Sequence, residues 1–226
     1  SGVGSRPVAA ISVHPRGGRG IRPRVVKPRA IAAAYALLAA LSAGLAIALR
    51  DGRVLSHPDP VLPLGPTTAT LASLGLGVSL AGVIIGSSRL LVARVEWAGR
   101  LARELRPFAR VLSTGQIVLL SVFSSLGEEL FFRSLLTPVL GVILSGVLFG
   151  LVHQVRGPSR WWWAGWAAIV GVLLGAIYAV TGSLVGPLVC HALVNGRNLL
   201  FLRDFEPERR RRPLGGLFGR APHAGG

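Results

Sequence analysis

Ala30 to Leu49 is twenty residues without a charge, and five more apolar runs follow it before residue 203. A helix of roughly 20 apolar residues crosses a hydrocarbon core of about 30 Å. Lipid offers no water to the backbone, so a spanning segment must close its hydrogen bonds internally. The expected fold is therefore all-α, a polytopic membrane helical bundle of about six transmembrane helices in one domain. After the first run the expected spans are Thr67 to Gly86, Gln116 to about Leu140, Gly141 to about Val155, Trp161 to about Val180 and Ser183 to about Leu202. The fourth is short. The first is too long for a signal peptide and reads as an uncleaved span.

The net charge of +16 is distributed as a topology signal rather than as a nucleic-acid surface. Residues 1–29 carry Arg6, Arg16, Arg19, Arg22, Arg24, Lys27 and Arg29 among Gly and Pro, and Arg209 to Arg212 stand in a row in 204–226. Both segments read as basic tails unable to bury a core. The 87–115 stretch holds six more arginines, at 89, 94, 100, 103, 106 and 110, interleaved with Leu90, Leu91, Val95, Leu101 and Leu105. It reads either as an amphipathic helix on the membrane surface or as a solvated loop helix. The 50–66 loop is proline-rich, with its two basic residues balanced by two acidic ones. With six spans both tails lie on one side, together with 87–115 and the Arg156/Arg160 turn, and the positive-inside rule makes that side cytoplasmic. The lipid bilayer is then a partner and nucleic acid is not. Trp161, Trp162, Trp163 and Trp166 open the fifth span and read as an interfacial belt.

The Ala, Gly, Val and Arg bias, with one lysine, suits a bacterial inner-membrane protein. The single Cys190 excludes an internal disulfide and a zinc site of paired cysteines. With no methionine, even at position 1, the chain is expected to be trimmed at its start.

Inside the third run stand Glu128, Glu129 and Arg133. Ionisable groups at bilayer depth are costly and mark function by default. On a helix Glu129 and Arg133 share a face, acid on the N-terminal side, which suits an ion pair. Glu128 points about 100° away and is left free for proton chemistry. Counted from the outer ends of their spans, Glu128, His153 and Asn195 each lie about twelve residues deep, roughly 18 Å at 1.5 Å per residue, and His191 is one turn from Asn195. Agreement in depth on three helices is what a shared site produces. Glu128 with His153 can hold and deprotonate a water, and His191 with Asn195 can donate to the oxyanion of an attacked peptide carbonyl. Two other readings stay open. One is a zinc peptidase with His153, His191 and a glutamate as ligands; the other is a non-catalytic immunity, chaperone or transport protein using the buried carboxylate. Cys190 points away from His191 and is not expected to pair with it.

Glu128-Glu129-Leu-Phe-Phe-Arg133, Phe149-Gly-Leu-Val-His153 and His191-Ala-Leu-Val-Asn195 match, in order, the EExxxR, FxxxH and HxxxN motifs. In these the chain resembles the membrane-embedded CAAX-protease and bacteriocin-processing family of glutamic intramembrane endopeptidases, over about 110–200. The resemblance implies catalysis by Glu128, His153, His191 and Asn195, supported by Glu129, Arg133 and Phe149, without a metal or other cofactor. It implies a site open to the cytoplasmic side and a membrane protein or peptide precursor as substrate, a C-terminal sorting anchor being one such. Ser134 stands where relatives often have Gly, with little consequence expected. Six spans are fewer than in eukaryotic prenyl-protein proteases, which weighs against a prenylated substrate.

Overall fold

The computed structural model describes residues 28–155 and 157–206. The described chain is helical apart from its turns and one isolated bridge, in the order α1 Pro28–Leu49, α2 Pro66–Arg94, α3 Glu96–Arg110, α4 Thr114–Glu129, a π-helical turn Leu130–Leu136, α5 Thr137–Val152, α6 Arg160–Thr181 and α7 Val185–Asp204. Residues 1–27, 207–226 and Arg156 lie outside the described part, so most of both basic tails does too. Pro28 opens α1 instead of closing the expected tail, because a proline in the first helical turn loses no hydrogen bond.

Five helical runs are long and apolar enough to cross a membrane. The third, Thr114–Val152, contains both the third and fourth expected spans. They divide where expected, at Gly141, whose backbone (φ 78°, ψ 169°) leaves the helical region in a conformation that glycine adopts freely. The fourth expected span is therefore a shorter helix that ends at Val152, and with it the described residues hold five to six helices suited to cross a membrane, in line with the expected six. Start signals explain other boundaries. Pro66 sits in the first turn of α2, and Ser113 and Gln116 form a reciprocal capping box on α4.

The expected surface helix proves to be two pieces. Residues 87–94 continue α2, and α3 packs against α2 and α7 with Ala98, Leu101, Ala102 and Ala109 buried. It is part of the bundle rather than a free loop helix. On α1, Leu37, Leu41 and Leu45 recur every four residues at 50 to 61 % exposure, as a lipid-facing stripe requires.

With lipid as apolar as any core, helices associate through close backbone approach and internal hydrogen bonds. Two glycine pairs at four-residue spacing, Gly146 with Gly150 on α5 and Gly171 with Gly175 on α6, do this between those helices: a Cβ on Gly150 would collide with the Ala164 carbonyl, and one on Gly171 would stand 3.0 Å from the Phe149 ring. A pair not legible as a motif joins α2 to α7, where Gly77 faces Gly186 and Ser73 Oγ donates to the Ser183 carbonyl and accepts from Gly186 N–H.

Outside the spans, the 50–65 loop straps one end of the bundle. Leu184 N–H donates to the Leu55 carbonyl, His57 N–H to Gly182 and Val61 N–H to Ala179, each at 2.9 Å. Arg50 donates to the Ser134 carbonyl and hydroxyl and, at 2.7 Å, to the Ser56 carbonyl. The helical partner of the Ser134 carbonyl is Pro138, which has no N–H, so the arginine satisfies an acceptor the helix cannot. Ser134 Oγ in turn donates to the Val54 carbonyl at 2.6 Å. Ser134, expected to have little consequence, therefore has one here: its hydroxyl ties loop to helix.

Gly186→Ala would place a methyl 2.0 Å from the Ser73 carbonyl. Thermal unfolding in detergent is expected to show a loss of about 1–3 kcal/mol, whereas Gly82→Ala, with nothing within 4 Å, changes little. Burial, and secondarily the Arg50 charge, holds the His57 imidazole below its usual value against the opposing influence of Asp59. A histidine kept neutral by the fold contributes stability that is complete above about pH 6.5 and is lost as pH falls below it, where the unfolded chain takes up the proton. The unfolding temperature is therefore expected to drop from pH 7.5 to 5.5, with a smaller drop in His57→Gln.

Candidate active site

The motif residues converge. Glu129 (0 % exposed) and Arg133 (1 %) form the expected ion pair, Nη1 to Oε1 at 3.0 Å, one turn apart across the start of the π-helical turn. The second guanidinium nitrogen donates to the Gly171 carbonyl at 3.0 Å, and the guanidinium carbon lies 4.4 Å from the Phe149 ring centroid. Phe149 therefore has a visible role: it walls the buried charge and stands 4.2 Å, ring to ring, from His153. The ring contact needs the close approach of α5 to α6, because a side chain at Gly171 would occupy the space of the Phe149 ring.

His153 ends α5. Its N–H turns back to Gly150 at 3.1 Å instead of to Phe149, and the freed Phe149 carbonyl contacts His153 Nδ1 at 2.6 Å. A carbonyl only accepts, so Nδ1 carries a proton and Nε2 faces the site. Nε2 lies 3.2 Å from Glu128 Oε2. That distance lets a proton pass between the two groups, but the contact is not aligned as a hydrogen bond, and Oε2 remains a buried acceptor without a donor among the described residues. The spacing FxxxH thus fixes a tautomer as well as a position.

His191, on α7, stands between the two acids. Nδ1 contacts Glu129 Oε1 at 2.7 Å and Nε2 lies 3.7 Å from Glu128 Oε2. The sequence reading paired Glu129 with Arg133 alone; the same oxygen also orients His191. Asn195 Nδ2 donates to Ser124 Oγ at 3.1 Å, leaving its second N–H uncommitted among the described residues. Ser124 was not singled out from the sequence, although it lies one turn before Glu128 and so on the same helix face.

These groups line a cavity of about 400 Å³ that extends from Glu128 past Trp163 to Leu105 and Phe108 of α3 and Leu202 near the end of α7. The cavity therefore reaches the arginine-rich end of the bundle. Trp163 and Trp166 line it, so only Trp161 and Trp162, about 60 % exposed, fit the expected outward belt. Cys190 is buried in the same wall. No group of three or more His, Cys, Asp and Glu side chains among the described residues is arranged to hold a metal ion.

Residues 110–197 match the model of a family described as Rce1-like, type II CAAX prenyl endopeptidase Rce1-like. The CAAX-protease resemblance is thereby shown. The match covers α4 to most of α7 and leaves α1, α2 and nearly all of α3 outside it. No curated protein and no solved structure matches the chain. Together with its five apolar runs, the match marks the chain as an integral membrane protein that is similar, over residues 110–197, to that endopeptidase family.

Removing Arg133 leaves Glu129 buried beside His191 without its cation. Arg133→Met is expected to cost about 3–5 kcal/mol of stability by thermal or denaturant unfolding. Arg133→Lys should recover part of this, since a point charge cannot reach both Glu129 and the Gly171 carbonyl in one plane.

Proposed function

We propose that this chain is a glutamic-type intramembrane endopeptidase that cleaves a peptide bond of a membrane-associated protein or peptide precursor. The observation that carries the proposal is the contact of Glu128 with His153, 3.2 Å apart at the buried end of a cavity, with Oε2 lacking a donor among the described residues and so able to accept from a water. The match to an endopeptidase family supports it.

In the proposed step Glu128 and His153 take a proton from that water as its oxygen attacks the substrate carbonyl. The uncommitted Asn195 N–H donates to the developing oxyanion. His191, doubly protonated, donates from Nε2 while Nδ1 stays on Glu129. Collapse of the tetrahedral intermediate expels the amine, which receives the proton held by the Glu128/His153 pair. Glu129 and Arg133 orient these groups without touching the substrate, and no metal is required. Zinc remains the alternative for the nucleophile.

Substrate reaches the site from the arginine-rich end, which is the cytoplasmic side if both termini lie in the cytoplasm of a bacterial cell. A C-terminal sorting anchor, whose apolar segment is already in the bilayer, is one substrate of this kind.

The test compares the termini of membrane proteins, by mass spectrometry, in cells carrying the wild-type chain, Glu128→Gln or His153→Ala. New termini are expected with wild type only. Asn195→Ala is expected to slow their release about 100-fold. On isolated membranes the cleavage should persist in a chelator; its loss there would replace this mechanism with a zinc one. Identical termini in all strains would remove the proteolytic reading.

A further inference from the structure

Tyr35 lies on α1, outside the segment that matches the endopeptidase family. It lines the same cavity as Glu128, His153, His191 and Asn195. Its place is set by a missing side chain. A Cβ on Gly127 would stand 2.8 Å from the Tyr35 carbonyl and 3.3 Å from its ring, so only glycine before Glu128 lets α1 come this close to α4. As a result Tyr35 packs against the residue that precedes Glu128, and the two side chains share one cavity wall.

Glu128 is thus faced from three other helices: by His153 from α5, by His191 from α7 and by Tyr35 from α1. The two histidines approach Oε2, yet neither makes an aligned hydrogen bond to it. A carboxylate has about four acceptor positions, and a phenol contributes a donor without adding charge. We infer that Tyr35 is a positioning residue that holds the Glu128 carboxylate in the orientation in which it meets His153 and the attacking water. The inference rests on the proteolytic reading for its functional consequence, but not for the pairing itself. It also gives α1 a part in a site whose motifs all lie elsewhere.

The chain has two tyrosines, Tyr35 and Tyr178, so a ring-carbon tyrosine label in the full-length protein reports two signals, assigned with Tyr178→Phe. In lipid vesicles, Glu128→Gln is expected to shift the Tyr35 resonance and leave that of Tyr178 in place. Gly127→Ala, which drives the two helices apart, should shift the Tyr35 resonance as well. Tyr35→Phe should stay folded and release the wild-type termini about tenfold more slowly, the effect expected when a phenol O–H that steadies a carboxylate is removed. A Tyr35 resonance indifferent to Glu128→Gln, equal shifts of both tyrosines, or a Tyr35→Phe protein that cleaves at the wild-type rate would each overturn the inference. If the wild-type chain releases no termini, the proteolytic reading falls, and the resonances alone decide whether Tyr35 holds Glu128.

Discussion

Arg133 is 1 % exposed and carries its charge into the middle of five apolar helical runs. Removing such a group from water costs several kcal/mol even after relaxation, so the fold must supply partners in good geometry. It supplies a carboxylate on the same helix, a carbonyl from α6 and an aromatic face from α5. Three elements are thereby fixed relative to one another by one side chain. The Glu129 oxygen that balances the charge also meets His191, so a fourth helix is aligned through the same pair. The site is organised around a charge that the proposed chemistry does not itself use.

That arrangement depends on helices packed closer than ordinary side chains allow. Gly146, Gly150 and Gly171 bring α5 against α6, which puts the Phe149 ring over the guanidinium. Gly77 and Gly186 do the same for α2 and α7. In lipid, where burying apolar surface offers little driving force, these contacts and a few hydroxyl-to-carbonyl bonds supply much of the cohesion. The two ends of the bundle then differ in kind. One is strapped by the 50–65 loop through Arg50 and Ser134, and the other is where the cavity reaches α3. In the proposed reading, the approach of substrate from the arginine-rich end follows from that asymmetry.

Much of the site was legible from residue types and spacing. The four-residue intervals Glu129 to Arg133, Phe149 to His153 and His191 to Asn195 each state a helical face, and charges in an apolar run state a function. The break between the third and fourth spans was legible too, at Gly141, where the backbone leaves the helical region. The π-helical turn at Leu130–Leu136 was not, because its five-residue bonds carry no mark in residue types. The role of Trp163 and Trp166 was misread for a related reason. Tryptophans near a span end suit the headgroup region on any face, and only the neighbouring helices decide which of them look inward.

What the sequence determined by itself is therefore local and periodic: that the chain is helical in lipid, which residues share a helix face, and which polar groups lie at a common depth. What only the tertiary structure decided concerns pairs far apart in the chain. Tyr35 in the cavity of Glu128, Arg50 on Ser134, Arg133 on the Gly171 carbonyl and Gly77 against Gly186 carry no mark in their own neighbourhoods. The physical reason is that helical periodicity fixes the direction of a side chain about its own axis, whereas its partner depends on how the axes pack, and that is settled by the sizes of residues on both helices at once.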